Sequence, residues 1–126
     1  MKLLLRRDQR SGMLGGKPVF SLEVRAELSA EEKGYIQKYK LEETELYSSA
    51  PMVDRGSGML GLATRVATRA TTTSVWVKDL QNGKRIECKD IVEMLAIEDE
   101  VKEAARTFVQ VLAAAAHFGG EEVVEL

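Results

Sequence analysis

Residues 90–118 read DIVEMLAIEDEVKEAARTFVQVLAAAAHF, and this stretch decides how the rest of the chain is arranged. Asp90 stands where a helix N-cap belongs, and Glu93 follows at the spacing of a capping box. Met94, Ile97, Val101, Ala104, Phe108, Val111, Ala115 and Phe118 then recur at steps of three and four. That is a continuous apolar stripe along one side of an α-helix, widened by Leu95, Ala105, Leu112 and Ala116. Gly119-Gly120 supplies the stop, because glycine closes a helix in the left-handed conformation without a Cβ clash. A straight helix from Ile91 to Phe118 would be about 42 Å long, against a body of about 36 Å for a chain of this size. Either a break near Glu98 or an end that packs on a partner is expected.

Immediately before the helix, Thr73 to Leu80 and Arg85 to Cys88 flank Gln81-Asn82-Gly83-Lys84, which reads as strand, Asn-Gly turn, strand. Pairing across that turn sends Val75, Val77, Ile86 and Cys88 to the core. It leaves Trp76, Lys78, Leu80, Arg85, Glu87 and Lys89 on the other face. Further upstream, Phe20, Leu22, Val24, Ala26 and Leu28 alternate with Val19, Ser21, Glu23, Arg25 and Glu27. Period two of this kind marks an antiparallel sheet covered on one side.

Lys2 to Arg7 is expected as a first strand, joined to the second by the polar, glycine-rich stretch Asp8 to Lys17. Ser29 and Glu32 repeat the capping-box spacing and open a short helix to about Tyr39, with Tyr35, Ile36 and Tyr39 as its apolar side. Gly34 weakens that helix by about 1 kcal/mol relative to Ala. Thr44 to Ser48 is a short strand, and 48–58, with Pro51 and two glycines, reads as a flexible loop. Residues 59–70 fit a helical face through Met59, Leu62, Ala63, Val66, Ala67 and Ala70, but Thr71-Thr72-Thr73 turn the propensity toward strand. Glu121 to Leu126 is expected as a last strand on a sheet edge. The tetrad Gly12-Met13-Leu14-Gly15 recurs as Gly58-Met59-Leu60-Gly61, a match too short to define a structural repeat.

These elements predict one α+β domain over residues 1–126. A mostly antiparallel sheet of about five strands is packed on one face by the long C-terminal helix and the short helix of the N-terminal half.

The chain has 126 residues, 44% apolar and 30% charged, with net charge -2. Such values fit an ordinary globular domain with a core of its own and no strong pull toward polyanions or polycations. The charge is unevenly spread: residues 1–28 carry six Lys/Arg against three Asp/Glu, and 84–126 carry five against ten. An acidic partner for the basic end and head-to-tail self-association explain the split equally well. Cys88 is the only cysteine, so no intrachain disulfide forms and a reducing, cytoplasmic setting is expected. Met1 to Arg7 has too few apolar residues between its charges for a signal peptide. Val111 to Ala116, the longest uncharged apolar run, is too short for a membrane span.

Gly12 to Lys17 resembles a phosphate loop only superficially. Its spacing is one residue short, Pro18 stands in place of Ser/Thr, and a strand follows where a helix should begin. One histidine and one cysteine cannot build a zinc site within the chain, and Glu98-Asp99-Glu100 lacks the spacing of a calcium loop. No cofactor is expected. Cys88 and His117 would make a nucleophile and base if the fold joined them, although no third, orienting residue is suggested.

The face carrying Trp76, Lys78, Leu80, Arg85 and Lys89 is the strongest candidate surface. An aromatic among cations on a sheet suits stacking of single-stranded bases, or an interface anchored by Trp76. Arg65 and Arg69 are too few for polybasic membrane recognition. The leading expectation is a small, non-enzymatic interaction module that self-associates into a homo-oligomer. A single-stranded nucleic-acid binder using Trp76, Lys78, Arg85 and Lys89 is the second, and no pattern specifies a small-molecule ligand.

Overall fold

A computed structural model describes residues 1–11, 16–49, 73–118 and 123–126. Its elements are α+β in the expected order: β1 (Lys2–Arg10), β2 (Val19–Glu27), α1 (Ala30–Lys38), β3 (Glu45–Ser48), β4 (Ser74–Trp76), β5 (Lys84–Cys88) and α2 (Ile91–Ala116). The expected loop at 48–58 lies outside the described residues beyond Ser49. So do the segment 59–70, the repeated Gly-Met-Leu-Gly tetrads, the heart of the Gly12–Lys17 connection and the Gly119-Gly120 stop.

The five strands divide into a three-stranded antiparallel sheet, ordered β1-β2-β5, and a two-stranded one, β3-β4. β1 and β2 pair over their whole length, from Lys2 opposite Glu27 to Arg10 opposite Val19. Alternation then sorts the side chains. Leu22, Val24, Ala26, Ile86 and Cys88 are buried toward α2, with Leu3, Leu5 and Phe20 packed beside them. The other face is a charged lattice in which Asp8 pairs with Arg85 at 3.6 Å and Arg10 with Glu87 at 3.9 Å.

The hairpin expected across Asn82-Gly83 does not form. β4 pairs with β3, with Trp76 opposite Glu45, and β5 pairs with β2, with Cys88 opposite Phe20. Between them Val77–Leu80 winds into a 3-10 turn. Local hydrogen bonds make the switch: the Trp76 N–H donates to Asp79 Oδ2 at 3.0 Å, and the Val77 N–H donates to the Thr44 carbonyl at 2.9 Å. A 3-10 turn places residues three apart on one side, so Val77 and Leu80 are both buried. Alternation would have separated them. Gly83 does adopt a positive φ of 94°, but its N–H closes the turn onto the Asp79 carbonyl at 2.8 Å.

Both helix starts follow the sequence. Ser29 and Glu32 form a complete capping box on α1. Asp90 accepts from the Glu93 N–H at 2.8 Å, while the Glu93 carboxylate reaches one residue further back, to the Lys89 N–H at 3.0 Å. α2 runs unbroken for 26 residues, so no break occurs at Glu98. Its buried apolar positions are Met94, Ile97, Val101, Ala105, Phe108, Leu112 and Ala115. The stripe therefore passes through Ala105 and Leu112, and the Ala104–Val111 track faces more toward solvent, with Val111 41% exposed. A second cluster of Ile36, Val77, Phe108 and Leu112 seats α1 against the C-terminal half of α2. Residues 123–126 are exposed and form no strand, so the expected edge strand is absent there.

Candidate interaction surface

The five residues expected to share one face are dispersed. Trp76 is partly buried in β4 and belongs to the two-stranded sheet. Lys78 is exposed on the 3-10 turn and pairs with Glu43 at 3.3 Å. Leu80 is fully buried in the core. Arg85 lies on the open face of the three-stranded sheet, where it pairs with Asp8 and donates to Ser21 Oγ at 3.1 Å. Lys89 is exposed between β5 and α2. Base stacking flanked by phosphate contacts needs these groups on one surface; Trp76 and Arg85 belong to different sheets, and Leu80 is part of the core.

Cys88 and His117 are also kept apart. Cys88 sits at the end of β5, just before α2 begins, and His117 is the C-cap of that helix. Twenty-six helical residues separate them, about 39 Å of helix. Burial, with the Glu93 and Asp90 carboxylates adding to it, pushes the Cys88 thiol up to about 11. That is the environment of a structural cysteine, because the thiolate nucleophile is disfavoured. Among the described residues, no three His, Cys, Asp or Glu side chains gather into a metal-binding group. No helix among them is long and apolar enough to cross a membrane.

The surface that the fold does assemble lies along β1. One side of β1 is bonded to β2, and among the described residues no strand pairs with the other side. Beside this edge runs a groove of about 280 Å³, floored by Met1, Leu3, Leu5, Ala105 and Val109 and rimmed by Lys102 and Arg106. Its origin is simple geometry. Odd-numbered residues of β1 point toward α2, and Lys102, Ala105, Arg106 and Val109 are neighbours along one flank of the helix.

Two ion pairs pin the groove at its ends. Arg7 holds Glu98 at 2.6 Å, and the Met1 ammonium meets Glu32 at 2.8 Å. The Arg7 hydrogen bond is the main cause holding the Glu98 carboxyl below its ordinary value, against the opposing effect of burial and with help from Lys102. At Glu32 the largest effect is burial, which would raise the carboxyl, but the Met1 ammonium and Ser29 together bring it lower. The acidic run at Glu98 is divided: Glu98 is buried, Glu100 accepts from the Tyr47 hydroxyl at 3.0 Å, and Asp99 is exposed.

The electrostatics of the edge are selective. Lys2, Arg6, Arg7 and Arg10 lie on β1 against the single Asp8. Charge on a free edge normally discourages indiscriminate strand pairing. The sequence contained a partial signal for this surface, three consecutive leucines between cations. It could not show that a helix flank distant in the chain would complete the groove. No protein-family model, curated protein or solved structure matches the chain.

Proposed function

We propose that this protein is a small, non-enzymatic interaction module that self-associates, with the outer edge of β1 and the adjoining β1–α2 groove as its contact surface. The observation that carries this reading is the nine-residue edge of β1, unpaired among the described residues, next to an apolar groove. An open edge provides backbone donors and acceptors, and the groove provides side-chain specificity, which together are what strand addition requires. The separated charge, basic toward the start and acidic toward the end, supports association between copies over binding to a uniformly charged polymer.

Sedimentation velocity over a range of concentrations tests the proposal. Wild-type protein should show a concentration-dependent increase in mass, and Val109→Glu should shift the equilibrium toward monomer with far-UV circular dichroism unchanged. Wild-type protein that stays monomeric at several hundred micromolar would end the proposal.

A further inference from the structure

We infer that the strand which occupies the β1 edge is residues 123–126 of a second copy, with Val124 and Leu126 entering the groove. This rests on the proposed self-association and names its partner segment. Val123, Val124 and Leu126 are among the most exposed apolar residues of the chain. They carry no secondary structure of their own, yet valine is a strong strand former.

The opposing pattern matches without adjustment. Val124 and Leu126 are two apart and share one face of an extended chain, as Leu3 and Leu5 do on β1. Placing the first pair opposite the second puts Glu125 opposite Leu4, whether the strands run parallel or antiparallel. Lys2 and Arg6 then flank Glu125 diagonally on the open face, within reach of its carboxylate. Asp8, on the same face, is already paired with Arg85 at 3.6 Å. On the groove side, Lys102 and Arg106 stand at the rim, each also holding a carboxylate of α2, Glu98 and Glu103.

A second β1 strand is the poorer occupant. Pairing two copies of Lys2–Arg10 would bring eight cations and two anions into one ladder, and like charges across a strand pair repel. The acidic segment Glu121 to Leu126, with three glutamates and no cation, removes that conflict.

Complementation between two defective copies of the 126-residue chain tests the inference. Val124→Lys/Leu126→Lys spoils the segment and leaves the groove intact; Val109→Glu spoils the groove and leaves the segment intact. The segment lies outside the core, so its double variant retains the wild-type fold. Sedimentation equilibrium should find self-association of each variant weakened at least tenfold, and an equimolar mixture of the two should form a heterodimer. If the segment variant self-associates as wild type does, the inference is overturned while self-association through β1 stands. If the wild-type chain is monomeric, both fail. If the two variants are each monomeric and their mixture forms no heterodimer, segment and groove are not partners.

Discussion

Arg7 grips Glu98 with both arms of its guanidinium, Nε to Oε2 at 2.7 Å and Nη2 to Oε1 at 2.6 Å. This bidentate pair fastens the edge strand to the middle of α2 and sets one end of the groove. The Glu98 carboxyl is held below its ordinary 4.5, chiefly by the Arg7 hydrogen bond. A carboxyl lowered on folding contributes its stability in full above its ordinary value and loses it as pH falls through the lower folded value. Glu98→Gln should therefore reduce stability at pH 7 and shrink the loss that wild type suffers below pH 4.5. Urea midpoints of both proteins at neutral and acid pH would measure this; equal pH slopes would contradict it.

Gly34 lies in the interior of α1, and a Cβ added there meets nothing within 4 Å. Gly34→Ala should stabilise the protein by about 1 kcal/mol, since alanine gives up less backbone freedom on folding. Thermal unfolding should record a rise of roughly 4 °C.

Two positions in left-handed backbone should respond in opposite directions. Lys40 follows the α1 C-cap with φ 55°, a conformation costing a side-chain-bearing residue about 1 kcal/mol or more. Lys40→Gly should raise stability by up to about 1 kcal/mol. Gly83, with φ 94° and the Glu23 side chain 3.5 Å from a built Cβ, should lose about 1–2 kcal/mol as Ala. Chemical denaturation of both variants decides the signs.

The division of the expected hairpin has its own test. Leu80→Ala should cost about 2–5 kcal/mol, as truncation of a fully buried leucine does, while Lys78→Ala should change stability by less than about 1 kcal/mol. A true hairpin with both residues on an exposed face would show two small and similar effects.

Helix and strand periodicities are legible in the sequence, whereas the Asn-Gly turn signal is overridden by the bond from the Trp76 N–H to Asp79. The alternation of β2, the Ser29–Glu32 box and the apolar stripe of α2 each specify their element with neighbours only a turn or two away. Partner choice was not legible. Val75 and Val77 alternate as a strand does, but Asp79 captures the Trp76 N–H and the Thr44 carbonyl takes the Val77 N–H, bonds that no periodicity encodes. The Glu98 carboxylate is held by Arg7, 91 positions away, so within the run Glu98-Asp99-Glu100 it is Glu98 that becomes part of the helix–sheet contact. The candidate surface was hidden for the same reason: its two walls come from opposite ends of the chain.

Cys88 offers a check on the site that the fold declines to build. With its thiol pushed up to about 11 and the side chain buried, it should resist alkylation by iodoacetamide at pH 8 and react only as the protein unfolds. Rapid modification of native protein would restore a reactive cysteine.

The mass of the wild-type protein in solution bears most directly on the central claim. Sedimentation equilibrium at several hundred micromolar should give an average mass well above the 14.0 kDa of one chain, falling toward it on dilution and in Val109→Glu. A single species of 14.0 kDa at every concentration would contradict the account.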